Sequence, residues 1–161
     1  MTFVAPSQHL LAALPTPLTP CYMIEAVETS FNWDDIFANT DSGQWYLVAF
    51  RSKHSANADE ERLEWLDAQA RHAASESDGF LFYFMGVPLA TGECLSFCLW
   101  NSKAEAAAAS AKPGHRMAVQ EGLIYFEYYT LEQYNVFKQG GQVIFQPLHK
   151  MALKDSAPHV R

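Results

Sequence analysis

Phe80-Leu-Phe-Tyr-Phe-Met-Gly-Val-Pro-Leu-Ala-Thr-Gly-Glu-Cys-Leu-Ser-Phe-Cys-Leu-Trp100 is the stretch around which the rest of the chain can be ordered. Two aromatic and aliphatic runs, Phe80–Met85 and Glu93–Trp100, flank Gly86–Gly92, whose Gly and Pro residues stop either run from continuing. The pair predicts an open hairpin. On its N-terminal side, Leu63, Leu66, Ala70 and Ala73 recur at three- and four-residue steps within Ser55–Ser75, the spacing of a helix with one buried stripe. Asn57 stands as its cap, Asp59, Glu60 and Glu61 favour its first turn, and Arg71 and His72 suit its last. Trp45–Arg51 before it has the composition of a strand. On the C-terminal side, Asn101 or Ser102 caps an Ala-rich helix over Lys103–Ala111; Pro113-Gly114 interrupts it and His115–Gln120 resumes. Beyond Gly122, Leu123–Thr130 is a strand, with the segment to Phe137 open to extending it.

The order is strand, helix, strand, strand, helix, strand. Two right-handed crossovers around a hairpin define an α+β, ferredoxin-like βαββαβ arrangement, a four-stranded antiparallel sheet with both helices on one face. Extra strands are expected at either end, at Cys21–Phe31 and, after Gly140-Gly141, at Gln142–Gln146. Asn32–Phe37 reads as a helical turn between them. Residues 1–20 form a Pro-rich leader, extended or loosely attached, 21–148 a single domain, and 149–161 a polar tail.

The bulk properties exclude several classes. The chain has 161 residues, 49% hydrophobic, which suffices for one core and rules out a disordered tail. A net charge of −7 is the wrong sign for nucleic acid or an anionic membrane. Three cysteines without dense spacing argue against a secreted disulfide framework. Cys94 and Cys98 on one strand stand roughly 13 Å apart, too far to share a disulfide or a zinc ion, and read as small buried thiols. No apolar run is long enough for a membrane span, and a cytoplasmic location is the default expectation. No Gly-rich phosphate loop, nucleophile elbow or zinc-protease motif occurs, and the six histidines lack metal-ligand spacing, so no metal site is expected.

Strand alternation puts Leu95, Phe97 and Leu99 on one face and Cys94, Ser96, Cys98 and Trp100 on the other, and neither set looks solvated. The face away from the helices therefore calls for a second copy packed sheet to sheet, or for barrel-like closure by the flanking strands. The element order, Trp100-Asn-Ser102 opening an Ala-rich helix, Gly114-His115-Arg116, and Tyr125-Phe-Glu-Tyr-Tyr129 together resemble an uncharacterised fungal protein family of the dimeric α+β barrel group. That group includes antibiotic-biosynthesis monooxygenases and stress-responsive barrel proteins, and the resemblance covers residues 45–138. It implies a homodimer, a small apolar substrate and no obligatory cofactor.

Candidate catalytic residues are His115, Glu127 and Arg51. His115 follows a helix interruption that can aim an imidazole into a pocket, where it serves as general acid or base; the resembling family also carries a histidine in this stretch. Glu127 lies between Tyr125 and Tyr129, where desolvation favours a protonated carboxyl; an ion pair with Arg51 or Arg116, or an edge position in water, is the alternative. Arg51 ends a strand and is suited to hold a carboxylate or enolate oxygen. Tyr83, Tyr125, Tyr129 and Trp100 are expected to line an aromatic cavity, with Phe82 and Phe97 as walls. The function these residues point to is a cofactor-independent enzyme of secondary metabolism, directing cyclisation, isomerisation or proton transfer on a polyketide- or terpenoid-like compound. A cofactor-free monooxygenase and a non-catalytic ligand-binding or dimerisation module are its rivals.

Overall fold

A computed structural model describes residues 2–4 and 11–155. In chain order the elements are β1 (Thr2–Val4), α1 (Val27–Ser30), α2 (Trp33–Ile36), β2 (Gly43–His54), α3 (Glu60–Ser75), β3 (Phe80–Phe84), β4 (Glu93–Trp100), α4 (Lys103–Ser110), α5 (Pro113–Gly122), β5 (Phe126–Gln139) and β6 (Gln142–Lys154). One antiparallel sheet runs β1-β3-β4-β2-β5-β6. Its inner four strands, with α3 and the α4–α5 pair as crossovers, form the expected ferredoxin-like unit. β1 and β6 are the added edges.

Local chemistry sets the helix starts. Asp59, not Asn57, caps α3: its Oδ1 accepts the Arg62 backbone N–H at 2.9 Å, and two acidic residues follow in the first turn. Ser102 caps α4, its Oγ accepting the Glu105 N–H at 3.2 Å and donating to Glu105 Oε2 at 2.9 Å. Pro113 opens α5 at the first helical position, where its missing N–H costs nothing, so Pro113-Gly114 begins a helix instead of breaking one. Leu123–Tyr125 is a 3₁₀ turn, and strand geometry starts only at Phe126.

Two layers cover the sheet. Tyr46, Tyr83, Cys98 and Trp100 pack against Ala74, Ala106 and Ala109 of the helices. On the other face, Leu47, Ala49, Phe82, Leu95, Phe97, Leu99 and Val136 pack against Met23, Val27, Phe31, Trp33, Ile36 and Phe37. The chain's own residues 11–37 thus fill the face assigned to a second copy or to barrel closure. The expected strand over Cys21–Phe31 is replaced by turns and two short helices. The reason lies in the buried positions, Met23, Val27, Ser30 and Phe31, whose steps of three and four are helical rather than alternating.

The described part of the leader is pinned. Ala12 N–H donates to the Ile36 carbonyl at 2.9 Å, Leu18 N–H to the Ser30 carbonyl at 2.8 Å, and Pro17 bridges Phe31. Asn32, at the start of α2, does not cap it and ties Thr16 and Leu14 with its side chain. At the other end β6 pairs along β5 as far as Lys154, so the strand expected over Gln142–Gln146 is 13 residues long and most of the described tail belongs to the sheet. Pro147 is tolerated because β6 is an edge. Gly140 and Gly141, at φ +55° and +80°, make the tight turn that folds β6 back on β5.

Candidate functional site

Arg51 lies three residues before the end of β2, on the face covered by residues 11–37 and beside β5 residues of the same face. The register pairs Ala49 with Glu132 and Leu47 with Tyr134, so Glu132 and Tyr134 stand next to the Arg51 side chain. Arg51 Nε donates to Glu132 Oε1 at 2.5 Å, while its terminal nitrogens donate to the carbonyls of Met23 at 2.8 Å and Glu25 at 2.6 Å. Tyr134 OH donates to Glu132 Oε2 at 2.9 Å. The ion pair is largely buried, with 18% and 11% of the two side chains exposed. A buried carboxylate and guanidinium tolerate that position because each meets the other and further hydrogen bonds.

Above this network lies an open cleft of about 730 Å³. Met23, Ile24 and Glu25 form one wall, Leu148, His149 and Lys150 of β6 the other, and Arg51, Tyr128, Glu132 and Tyr134 lie along its base. Burial raises the Tyr134 phenol well above its ordinary range, and the hydrogen bond and negative charge of Glu132 add to the rise. Burial also raises Tyr128, with the Glu93 charge contributing. Both phenols are therefore held protonated at neutral pH and act as hydrogen-bond donors.

Of the residues proposed from sequence, only Arg51 joins this cleft. Glu127 sits at the bulged end of the β2–β5 ladder with 45% of its side chain exposed, paired with Lys53 at 3.3 Å. The expected desolvation is absent, and its partner is neither Arg51 nor Arg116. His115 lies half-buried in α5 and hydrogen-bonds the Ser110 backbone; burial lowers its pKa, the hydrogen bond opposing in part. The proton-moving pair expected of His115 and Glu127 is not assembled. Phe82 and Phe97 are fully buried in the layer under residues 11–37 and line no opening. Trp100 is core on the helix side, edge-on to Phe80 at 5.4 Å. Tyr125 falls in the 3₁₀ turn, where its carbonyl accepts the Ser55 N–H at 2.8 Å.

Tyr83 and Tyr129 come together on the helix side. Tyr83 OH donates to Asp67 Oδ1 at 3.2 Å, and Asp67 pairs with Arg71 at 3.3 Å. Burial raises both phenols far above their usual range, lifts Asp67, and pushes the Cys94 thiol up to about 11. This is a packed polar seam between α3 and the sheet, on the opposite side from the cleft. The residues missed from sequence are Glu132, Tyr134 and Tyr128. The signal for them is plain alternation along β5, with 128, 132, 134 and 136 all on one face, and it becomes readable once the strand is carried past Thr130.

Among the described residues no three His, Cys, Asp or Glu side chains come together as a metal-ligand set. No described helix is long and apolar enough to cross a membrane.

A βαββαβ sheet with the two crossover helical segments on one face defines a ferredoxin-like α+β protein. Among solved structures, protein SO0527 from Shewanella oneidensis superposes with a TM-score of 0.51 at 14% identity, over 63% of this chain and 93% of that one. A dimeric ferredoxin-like protein of unknown function from Thermobifida fusca gives 0.48 at 12% identity, over 56% and 90%. The cofactor-independent oxygenase SnoaB from Streptomyces nogalater gives 0.44 at 14% identity, over 58% and 90%. Within this class the chain belongs to the PB2B2.08-like family, whose model matches residues 2–147. No curated protein sequence matches it.

Proposed function

We propose that the protein is a small-molecule enzyme working in the Arg51–Glu132 cleft, directing proton transfer, isomerisation or ring closure on an apolar substrate of polyketide or terpenoid kind. The observation that carries the reading is the cleft itself. Its volume of about 730 Å³ lies within the ~300–1,000 Å³ of ligand pockets, and its lining sets Met23, Ile24, Pro147 and Leu148 beside the polar groups of Arg51, Tyr128, Glu132 and Lys150. In this role Tyr128 donates to a substrate oxygen and polarises the bond to the adjacent carbon. Arg51 and Glu132 hold the base of the cleft rigid, with Tyr134 fixing the carboxylate. Holding one reactive conformer between the two walls supplies the remaining rate advantage.

The test is native mass spectrometry of protein purified from its own host, with extraction of any carried compound, on wild type and on Leu148→Glu. Recovery of an apolar compound from wild type and its loss from the variant supports the reading. Equal recovery from both moves the site elsewhere. A ligand-free spectrum, together with no change in Tm over a panel of apolar small molecules, removes the enzyme reading. If a substrate is found and turnover stops without oxygen, a monooxygenase replaces the isomerase or cyclase.

A further inference from the structure

We infer, resting on the cleft as the ligand site, that its ligand is a monoanionic amphipath, a carboxylic acid or acidic enol with an apolar body, whose charged head lies between Arg51 and Lys150. A guanidinium carries five N–H donors, and three of those on Arg51 go to Glu132, Met23 and Glu25. Two more remain on a side chain that borders the cleft. Lys150 is the register partner of Glu132, so it projects from β6 on the same face of the sheet. It forms no ion pair with any described residue.

The β6 side of the cleft carries the same sign. In a chain of net charge −7, residues 133–154 contain no Asp or Glu, and their charged groups are Lys138, Lys150 and Lys154. Lys138 is buried and donates to the Phe37 carbonyl, while Lys154 donates to the Leu123 carbonyl. Lys150 is thus the unengaged cation at the cleft. Glu25 stands on the opposite wall, where its carboxylate disfavours a second negative charge on the ligand. The apolar body has its own place, because Ile24 is 70% exposed and Leu148 40% exposed, one on each wall. Charge-assisted hydrogen bonds at one end and apolar contact along the rest select an amphipath over a neutral hydrocarbon or a sugar.

Binding of decanoate and of decanol to the full chain, measured by isothermal titration at moderate ionic strength, tests this. Decanoate should bind at least about tenfold more tightly than decanol. Lys150→Met should remove most of that preference while decanol affinity and Tm stay unchanged, and Leu148→Glu should weaken both ligands. Equal binding of the two, both lost in Leu148→Glu, overturns the anionic head and leaves the cleft reading standing. A decanoate preference that survives Lys150→Met also overturns it. Decanoate binding that survives Leu148→Glu undetected by the cleft overturns the site as well as the head. No measurable decanoate binding overturns the inference outright.

Discussion

Arg51 joins three parts of the molecule that are far apart in sequence: the segment at Met23–Glu25, the end of β2, and Glu132 of β5. A lysine there would supply one point charge, whereas the planar guanidinium reaches a carboxylate and two carbonyls at once. A cation within an apolar strand needs a partner, and that need singles Arg51 out in the sequence. His115 stands out in the sequence for the helix interruption before it, and in the structure that interruption is the first turn of α5. His115 still has a measurable signature. Burial holds its pKa below the ordinary imidazole value of 6.5, so the folded state binds a proton less readily than the unfolded one. The stability tied to this residue is complete above 6.5 and is lost as pH falls through that value toward the lowered one. The urea midpoint of wild type should therefore fall more steeply from roughly pH 7.5 to roughly pH 5 than that of His115→Gln. Parallel curves would show that the histidine is solvated in solution.

At the scale of elements, the layer over residues 11–37 is an aromatic assembly. Phe31 meets Phe97 at 4.8 Å and Phe84 at 4.9 Å, both edge-on, and Tyr22 at 5.6 Å, while Phe37 stacks on Trp45 at 4.1 Å. Such a layer acts as core and not as a flexible leader. Phe31→Ala should cost about 3–5 kcal/mol, as buried Phe truncations do, whereas Ile24→Ala, next to buried Met23 but itself exposed, should change stability by less than about 0.5 kcal/mol. Denaturant titration of the two variants checks the contrast, and comparable losses would mean that the layer is held by something other than Phe31. The inner sheet and its helices were legible because hairpin, caps and helical stripe agreed with one another. The N-terminal layer was not, because Pro15, Pro17 and Pro20 suggested an extended tether and the partial alternation of Tyr22–Thr29 hid the helical step from Met23 to Val27. The start of β5 was misplaced for a related reason: the apolar run begins at Leu123, three residues before the strand does.

For the whole molecule, the covered sheet face changes what the fold can do. A ferredoxin-like sheet has one face free of helices, and here Leu95, Phe97 and Leu99 on that face are fully buried by the chain's own residues. Removing residues 1–37 would expose that surface and the adjacent Phe82 and Leu47. Light scattering after size exclusion should then show association or aggregation in place of the wild-type species. A truncated chain with unchanged mass and Tm would mean that the sheet face does not depend on this layer. The cleft depends on the same layer, since one of its walls is Met23–Glu25, so the site exists only where N-terminal and C-terminal segments meet. That convergence is why the candidate site was harder to read than the fold: no local motif spans it.

Lys138 reaches back to the Phe37 carbonyl across 101 residues. The contact has a consequence in time. The aromatic segment through Phe37 leaves the ribosome first, yet its docking surface is complete only after β5 has been made. Closing so long a loop is slow compared with forming α3 or the β3–β4 hairpin. During synthesis this segment waits exposed, and it is among the last parts of the chain to find its place.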